Sequence, residues 1–178
     1  VVAIEPVTRS VTLSTGRVLR FGSLVLATGG TARPLPVPGA ELCLDLRTLD
    51  DGRRLREALT GATRIAIVGA GVIGLEIAST AAALHKSVTV LESGTRAMAR
   101  ILPPAASDWL EGLHRAAGVD LRFGVQVDRV RRDADGLVVE GPGWSVAADV
   151  VVAAVGMRPN AGLVPEALRG PSGGILTD

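Results

Sequence analysis

Short apolar runs alternate with stretches of helical spacing along most of the chain, and each change of period marks an element. Ile65-Ala66-Ile67-Val68 is a continuous β-branched run of the length expected for a strand buried on both faces. Gly69-Ala70-Gly71-Val72-Ile73-Gly74 follows it, then residues 75–84, rich in Ala and Leu, and a second β-branched run at 88–91 that ends on Glu92. The pattern predicts strand, glycine turn, helix and strand, which is the βαβ unit of a Rossmann-like parallel sheet. Residues 119–122 predict a third strand, and residues 149–155 (DVVVAAV) a long buried one that stops at Gly156.

The flanking patterns are shorter. Residues 1–4 and 11–13 are β-branched runs, and Ser14-Thr15-Gly16-Arg17 is a turn signal, so a small antiparallel meander is expected. Residues 24–27 (LVLA) predict a buried strand ending in Thr28-Gly29-Gly30, which alone reads as an ordinary glycine loop. Residues 33–39 (RPLPVPG) must be extended, because proline fixes φ and lacks a donor, and they mark a linker and domain boundary.

Residues 48–59 predict a helix in which Leu49, Leu55, Ala58 and Leu59 share a face, capped by Thr48 or Asp50 and stopped by Gly61. Asp50 and Asp51 read as dipole partners in its first turn. Pro103-Pro104 opens a further helix to about Ala117, with Gly118 as its stop and Trp109, Leu110 and Leu113 as its core face. Residues 125–131, 137–140 and 144–147 predict three strands joined by Asp135-Gly136 and Gly141-Pro142-Gly143 turns, a β-meander crossover. Pro159, Gly162 and Pro165 mark a loop, and residues 175–177 a last short strand.

The glycine turn carries candidate chemistry. Gly69 lets the chain leave the strand sharply, Gly71 lets the backbone approach a pyrophosphate, and Gly74 lets the helix pack on the strand. The helix start offers unpaired N–H groups and a positive dipole end to phosphates. Glu92 lies 18 residues beyond Gly74, near the spacing of about 20 expected for a carboxylate that bonds ribose hydroxyls. A carboxylate there repels a 2′-phosphate, so NAD(H) is expected over NADP(H). Arg96 and Arg100 follow in residues 93–102, where either could meet adenine or a phosphate, or lie solvated at the surface.

Composition narrows the classes. Apolar residues make up 47% of 178, enough for a sizeable core, yet no apolar run nears the roughly 18 residues of a membrane span. The net charge of +1 and four aromatic residues, Phe21, Phe123, Trp109 and Trp144, argue against a nucleic-acid or membrane partner. Eighteen arginines against one lysine, Lys86, read as coding bias. Cys43 is alone, so no dithiol and no cysteine-based metal site is expected, and His85 and His114 read as surface or helix-end residues. No secretory leader pattern is seen, and a cytoplasmic protein is expected. The start on Val1 and the stop after residues 173–177 suggest a piece of a longer chain.

Taken together, the stretches VTLSTGR, LVLATGG, RPLPVPG, LRTLDDGRRLREAL, IAIVGAGVIGLEIA, VTVLE, RAMAR, LHRAAGVDLR, VVVAAVGMRPN and GGILTD come in a familiar order. The chain resembles the central part of the FAD-dependent pyridine nucleotide-disulfide oxidoreductases, most of all their ferredoxin/rubredoxin reductase branch, the putidaredoxin reductase type. The resemblance implies partial FAD-domain segments at 1–44 and 157–178 around an NAD(H)-binding domain at 45–156. It implies that Gly69, Gly71, Val72, Ile73, Gly74 and Glu92 hold NADH, with Arg96 or Arg100 near its adenosine and Val155 and Gly156 beside the nicotinamide. It places Ala27, Thr28, Gly29 and Arg33 on the FAD side. Glu76 would lie where nicotinamide and flavin meet, as a candidate catalytic residue; its position also suits a helix-start acid favoured by the dipole.

By the same resemblance, hydride passes from NADH to flavin and single electrons pass on to an iron–sulfur protein of the ferredoxin or rubredoxin type. The family's own flavin glycine motif, its later Gly-Asp segment and its C-terminal interface domain have no counterpart here, so FAD binding and catalysis by these residues alone are not expected. Phe21-Gly22 stands where members often carry Tyr-Asp, and Val72 where many carry an aromatic residue. Two alternatives stay open. One is an NADH oxidase, a coenzyme A-disulfide reductase or the flavin part of a nitrite reductase. The other is a non-catalytic NAD-binding redox sensor.

Overall fold

The computed structural model describes residues 1–171 and 173–176. The chain divides into two compact units, Val1–Thr31 with Met157–Asp178, and Ala32–Gly156. The first unit holds an antiparallel meander of β1 (Ala3–Glu5), β2 (Ser10–Thr12) and β3 (Val18–Arg20). Val11, opposite both Ile4 and Leu19, is its buried centre. β4 (Gly30–Ala32) pairs with β12 (Met157–Pro159).

The second unit is built on the predicted parallel sheet. Its order is β11 (Val150–Ala153), β5 (Arg64–Val68), β6 (Ser87–Glu92), β7 (Asp120–Phe123). Successive side chains on a strand point to opposite faces, so one apolar run serves two cores. Ile65, Ile67, Val88, Val90 and Val152 join Leu55 and Leu59 of α1 (Leu49–Gly61) and Leu75, Ile77, Ala78 and Ala81 of α2 (Val72–Ala83). Ala66, Val68, Leu91, Val151 and Ala153 instead meet Val130, Leu137, Val139 and Ala148 of an antiparallel sheet. That sheet consists of β8 (Arg129–Asp133), β9 (Gly136–Gly141) and β10 (Trp144–Ala148), in the order β10-β9-β8. The parallel sheet is thus covered by helices on one face and by the meander on the other.

Local chemistry sets the element ends. Thr48 is the N-cap of α1, and a reciprocal capping box with Asp51 closes the helix start. Those hydrogen bonds hold the Asp51 carboxyl far below the usual range, with Thr48 the largest cause. At the base of the sheet Asp149 ties β11 to β5. One carboxylate oxygen accepts the backbone N–H groups of Thr63 and Arg64, each at 2.8 Å, and the other accepts the Arg64 guanidinium at 2.6 Å. These bonds, the Arg64 side chain first, hold the Asp149 carboxyl at about 2. A carboxyl held low in the fold stabilises it above its unfolded value near 3.8 and ceases to do so as pH falls toward 2. Urea midpoints at pH 7 and pH 3 should therefore drop less in Asp149→Asn than in wild type, the variant already being the less stable at pH 7.

Several expectations need correction. Residues 24–27 are not a buried strand: they pair with no strand among the described residues, and Val25 is 85% exposed. An all-apolar run becomes a buried strand only where neighbours satisfy its backbone on both sides. The strand expected from residue 125 starts at Arg129; Val125 and Asp128 instead donate their N–H groups to Glu92 and Glu140 carbonyls.

The helix predicted from Pro104 is present as α3 (Pro104–Ala116), and of its expected core face Leu110 packs against the core but Trp109 and Leu113 do not. Trp109 is 68% exposed and Leu113 49%, whereas Ser107 and His114 are buried. His114 is thus a helix-end residue but not a surface one. Finally, β11 ends at Ala153 rather than at 155, and Leu49 of α1 is exposed. Ile175 makes one bridge to Arg169, and Thr177 lies outside the described residues.

Candidate functional site

β5 delivers the chain to Gly69, which turns with φ 107°. A Cβ there would lie 2.5 Å from the Ala154 carbonyl oxygen, so the backbones of the turn and of β11's end meet where no side chain fits. A Cβ at Gly74 would lie 2.1 Å from the Gly69 oxygen, as tight helix-to-turn packing requires. Gly71 differs. Its φ is −81°, a value open to any residue, and a Cβ there would meet nothing within 4 Å. No packing inside the protein calls for glycine at 71, and the space beside it is open. Gly71 is also the N-cap of α2, and among the described residues no side chain caps that helix or accepts from its first-turn amides, at its positive dipole end. Val72 and Ile73, 44% and 43% exposed, border the cradle.

Glu92 closes the other side. One of its oxygens accepts the Ala70 N–H at 2.7 Å, in the middle of the turn, and the other accepts the Gly94 N–H at 2.7 Å. The Gly69 N–H goes to the Leu91 carbonyl, and the Ala70 carbonyl accepts the Met98 N–H at 2.9 Å. Turn, strand tip and the 93–102 loop are thus one hydrogen-bonded assembly with a carboxylate at its centre.

The two candidate arginines separate. The Arg96 guanidinium donates to the Leu102 and Ala99 carbonyls at 2.7 and 2.9 Å and to Ser107 Oγ at 2.7 Å. It is spent on its own loop. Arg100 is exposed and makes no side-chain hydrogen bond among the described residues. Glu76 is exposed one helical turn past Val72, on the rim of a groove of about 660 Å³ between α1 and α2, with Arg56 and Lys86 near it and Leu55 and Leu59 on its floor. Val155 and Gly156 follow β11, with Gly156 at φ 101°, and the Gly156 carbonyl accepts the Arg33 N–H at 3.0 Å.

In the first unit, Thr28 Oγ1 donates to the Asn160 carbonyl at 2.6 Å, and the Asn160 amide donates back to the Thr28 carbonyl at 3.0 Å. The Gly29 carbonyl accepts the Asn160 N–H. Ala27 is exposed beside them.

These residues fit a dinucleotide at 69–74 and Glu92. They do not themselves cradle a flavin pyrophosphate: the Thr28 loop starts no helix, and its hydroxyl is already committed. Cys43 has its thiol pushed up to about 11 by burial, with Glu41 adding to it, so it remains a neutral thiol near pH 7. No group of three or more His, Cys, Asp or Glu side chains able to hold a metal occurs among the described residues, and no helix among them is long and apolar enough to cross a membrane.

Several site-shaping residues were not legible beforehand. Asn160, Met98, Ser107 and Glu111 act through backbone groups distant in sequence, and little in their local pattern marks them. Only Asn160 carried a signal, as the end of the MRPN stretch after a buried strand.

The sequence profile described as "Pyridine nucleotide-disulphide oxidoreductase" matches residues 1–178. The chain is 39% identical to putidaredoxin reductase CamA of Pseudomonas putida over 185 residues, covering 99% of this chain and 44% of that one. Its fold is similar to the ferredoxin reductase for the CYP199A2 system of Rhodopseudomonas palustris, at 37% identity and TM-score 0.83, over 91% of this chain and 41% of that one. It is also similar to the water-forming NADH oxidase of Lactobacillus brevis bound to NADH, at 27% identity and TM-score 0.86, over 99% of this chain and 41% of that one. The chain spans less than half the length of these relatives.

Proposed function

Because the chain belongs to the pyridine nucleotide-disulphide oxidoreductase family, we propose that it is the NADH-binding centre of an FAD-containing NADH:ferredoxin reductase. The observation that carries this reading is the open cradle at Gly71, with Glu92 anchored beside it. When bound, NADH would supply a hydride for which FAD, held by the flavin domain of the whole protein, would be the acceptor.

The residues described here bind and orient. The first-turn amides of α2, with Gly69, Gly71, Val72, Ile73 and Gly74, hold the pyrophosphate. Glu92 takes the adenosine ribose hydroxyls, and Arg100, rather than Arg96, meets the adenine end. Val155 and Gly156 flank the nicotinamide, and Glu76 is the carboxylate assigned to that end. Holding the reacting carbon in one pose is the protein's main contribution to such a step.

In this reading residues 45–156 form the NAD domain, and 1–44 and 157–178 belong to a flavin domain with Ala27, Thr28, Gly29 and Arg33 on its FAD side. A one-electron iron–sulfur carrier is the acceptor, in the cytoplasm, where NADH is maintained. The 39% identity to putidaredoxin reductase supports that acceptor class. The likeness to the water-forming NADH oxidase supports a second reading, with oxygen as acceptor. Steady-state NADH oxidation by the full-length, FAD-loaded protein separates them. Turnover with a [2Fe–2S] ferredoxin well above that with oxygen is expected. Turnover with oxygen alone would favour the oxidase, and none with either would overturn both.

A further inference from the structure

α3 turns Ser107, His114 and the half-buried Glu111 inward beside Leu110, which packs on the core, and leaves Trp109 and Leu113 outside, unlike the continuous apolar stripe of an ordinary surface helix. Its three inward polar side chains all end on the nucleotide cradle's supports. Ser107, fully buried, donates to the Ala97 carbonyl at 2.7 Å. Glu111 accepts the Ala97 N–H at 2.8 Å. Both backbone groups of Ala97, itself fully buried, are therefore held by α3. On one side of Ala97, the Arg96 guanidinium donates to the same Ser107 hydroxyl at 2.7 Å. On the other, Met98 adopts φ 49° and gives its N–H to the Ala70 carbonyl in the glycine turn. A left-handed conformation is unfavourable for methionine and persists only where surrounding bonds over-determine it. One turn further along α3, the His114 ring nitrogens lie 2.9 Å from the Leu110 carbonyl and 3.2 Å from the Leu75 carbonyl of α2.

We propose that Ser107 and Glu111 are positioning residues for the adenosine half of NADH, setting the 93–102 loop and, through Met98, the glycine turn and Glu92. The proposal rests on the nucleotide site assigned above and adds the helix that sets its geometry. Neither residue touches the nucleotide. Each acts through Ala97, and an error there propagates along two successive backbone links to the Ala70 peptide that Glu92 also binds. Buried hydrogen bonds of this kind leave an unsatisfied backbone group when one partner is deleted, so the loop must rearrange rather than lose a contact silently.

The test is calorimetric titration of this chain and its variants with NADH, ADP-ribose and nicotinamide mononucleotide. In Ser107→Ala and Glu111→Leu, NADH and ADP-ribose should both bind about tenfold more weakly, while nicotinamide mononucleotide is unchanged. Glu111→Gln keeps an acceptor oxygen for the Ala97 N–H and should bind like wild type. Trp109→Ala, on the exposed face of the same helix, should also bind like wild type. A merely structural role would lower the unfolding temperature and weaken all three ligands alike. Variants that bind NADH as tightly as wild type would overturn the proposal and leave the nucleotide site standing. Failure of folded wild-type chain to bind NADH would overturn the site itself.

Discussion

Gly69→Ala should cost this protein about 3 kcal/mol of stability and abolish measurable NADH binding. Two independent penalties combine. The residue has φ 107°, where an L side chain is strained. Its Cβ would also lie 2.5 Å from the Ala154 carbonyl oxygen, a backbone atom just past the end of β11. Neither side can yield cheaply, because the Gly69 N–H is bonded to the Leu91 carbonyl and the Ala154 N–H to the Val68 carbonyl.

Gly71→Ala is the informative contrast. With φ −81° and open space around the new methyl, it should unfold in urea within about 1 kcal/mol of wild type. The methyl would nevertheless occupy the approach of the pyrophosphate, so NADH binding should fall at least about tenfold. A stability loss at 69 and a binding loss at 71 are measured by the same two experiments, denaturant unfolding and calorimetric titration. Equal effects at the two positions would contradict the assignment of Gly71 to ligand.

The second large effect belongs to Glu92. Its carboxylate joins the Ala70 and Gly94 backbone amides and supplies the negative charge expected to face the adenosine ribose. Glu92→Gln keeps one acceptor oxygen for the turn but removes the charge and one acceptor. Hydrogen bonds to charged groups contribute about 2 kcal/mol each, so NADH should weaken roughly thirtyfold. NADPH should gain, since the like-charge repulsion of its 2′-phosphate is removed. The ratio of NADH to NADPH affinity should fall by about a hundredfold in total. Far-UV circular dichroism near that of wild type would show that the change is electrostatic rather than a collapse of the turn. An unchanged ratio would mean that Glu92 serves only the turn.

Where the local pattern settles the structure, the sequence was sufficient. The βαβ unit follows from continuous β-branched runs, the glycine spacing between them and an Ala- and Leu-rich helical stretch, all of them properties of adjacent residues. The α1 cap is similar: Thr48 and Asp51 stand three apart, as a capping box needs. What the sequence hid depends on partners distant along the chain. Residues 24–27 have the composition of a buried strand, but a strand is made by its neighbours.

In sequence α3 is amphipathic through Trp109, Leu110 and Leu113, yet of these only Leu110 packs on the core, beside the buried Ser107 and His114. Those two can be buried because the carbonyls of Ala97, Leu110 and Leu75 meet them, and no local pattern reveals that. The arginine pair shows the same limit. Arg96 and Arg100 are equivalent in the sequence. Only the fold shows that one guanidinium is consumed by Leu102, Ala99 and Ser107, while the other makes no side-chain hydrogen bond among the described residues.

The most direct measurement is calorimetric titration of the wild-type chain with NADH and, separately, with NADPH under identical conditions. The account predicts saturable binding of one NADH per chain and NADPH binding at least about tenfold weaker, as a carboxylate facing the ribose requires. Folded protein that binds neither nucleotide, or binds both equally, would contradict it.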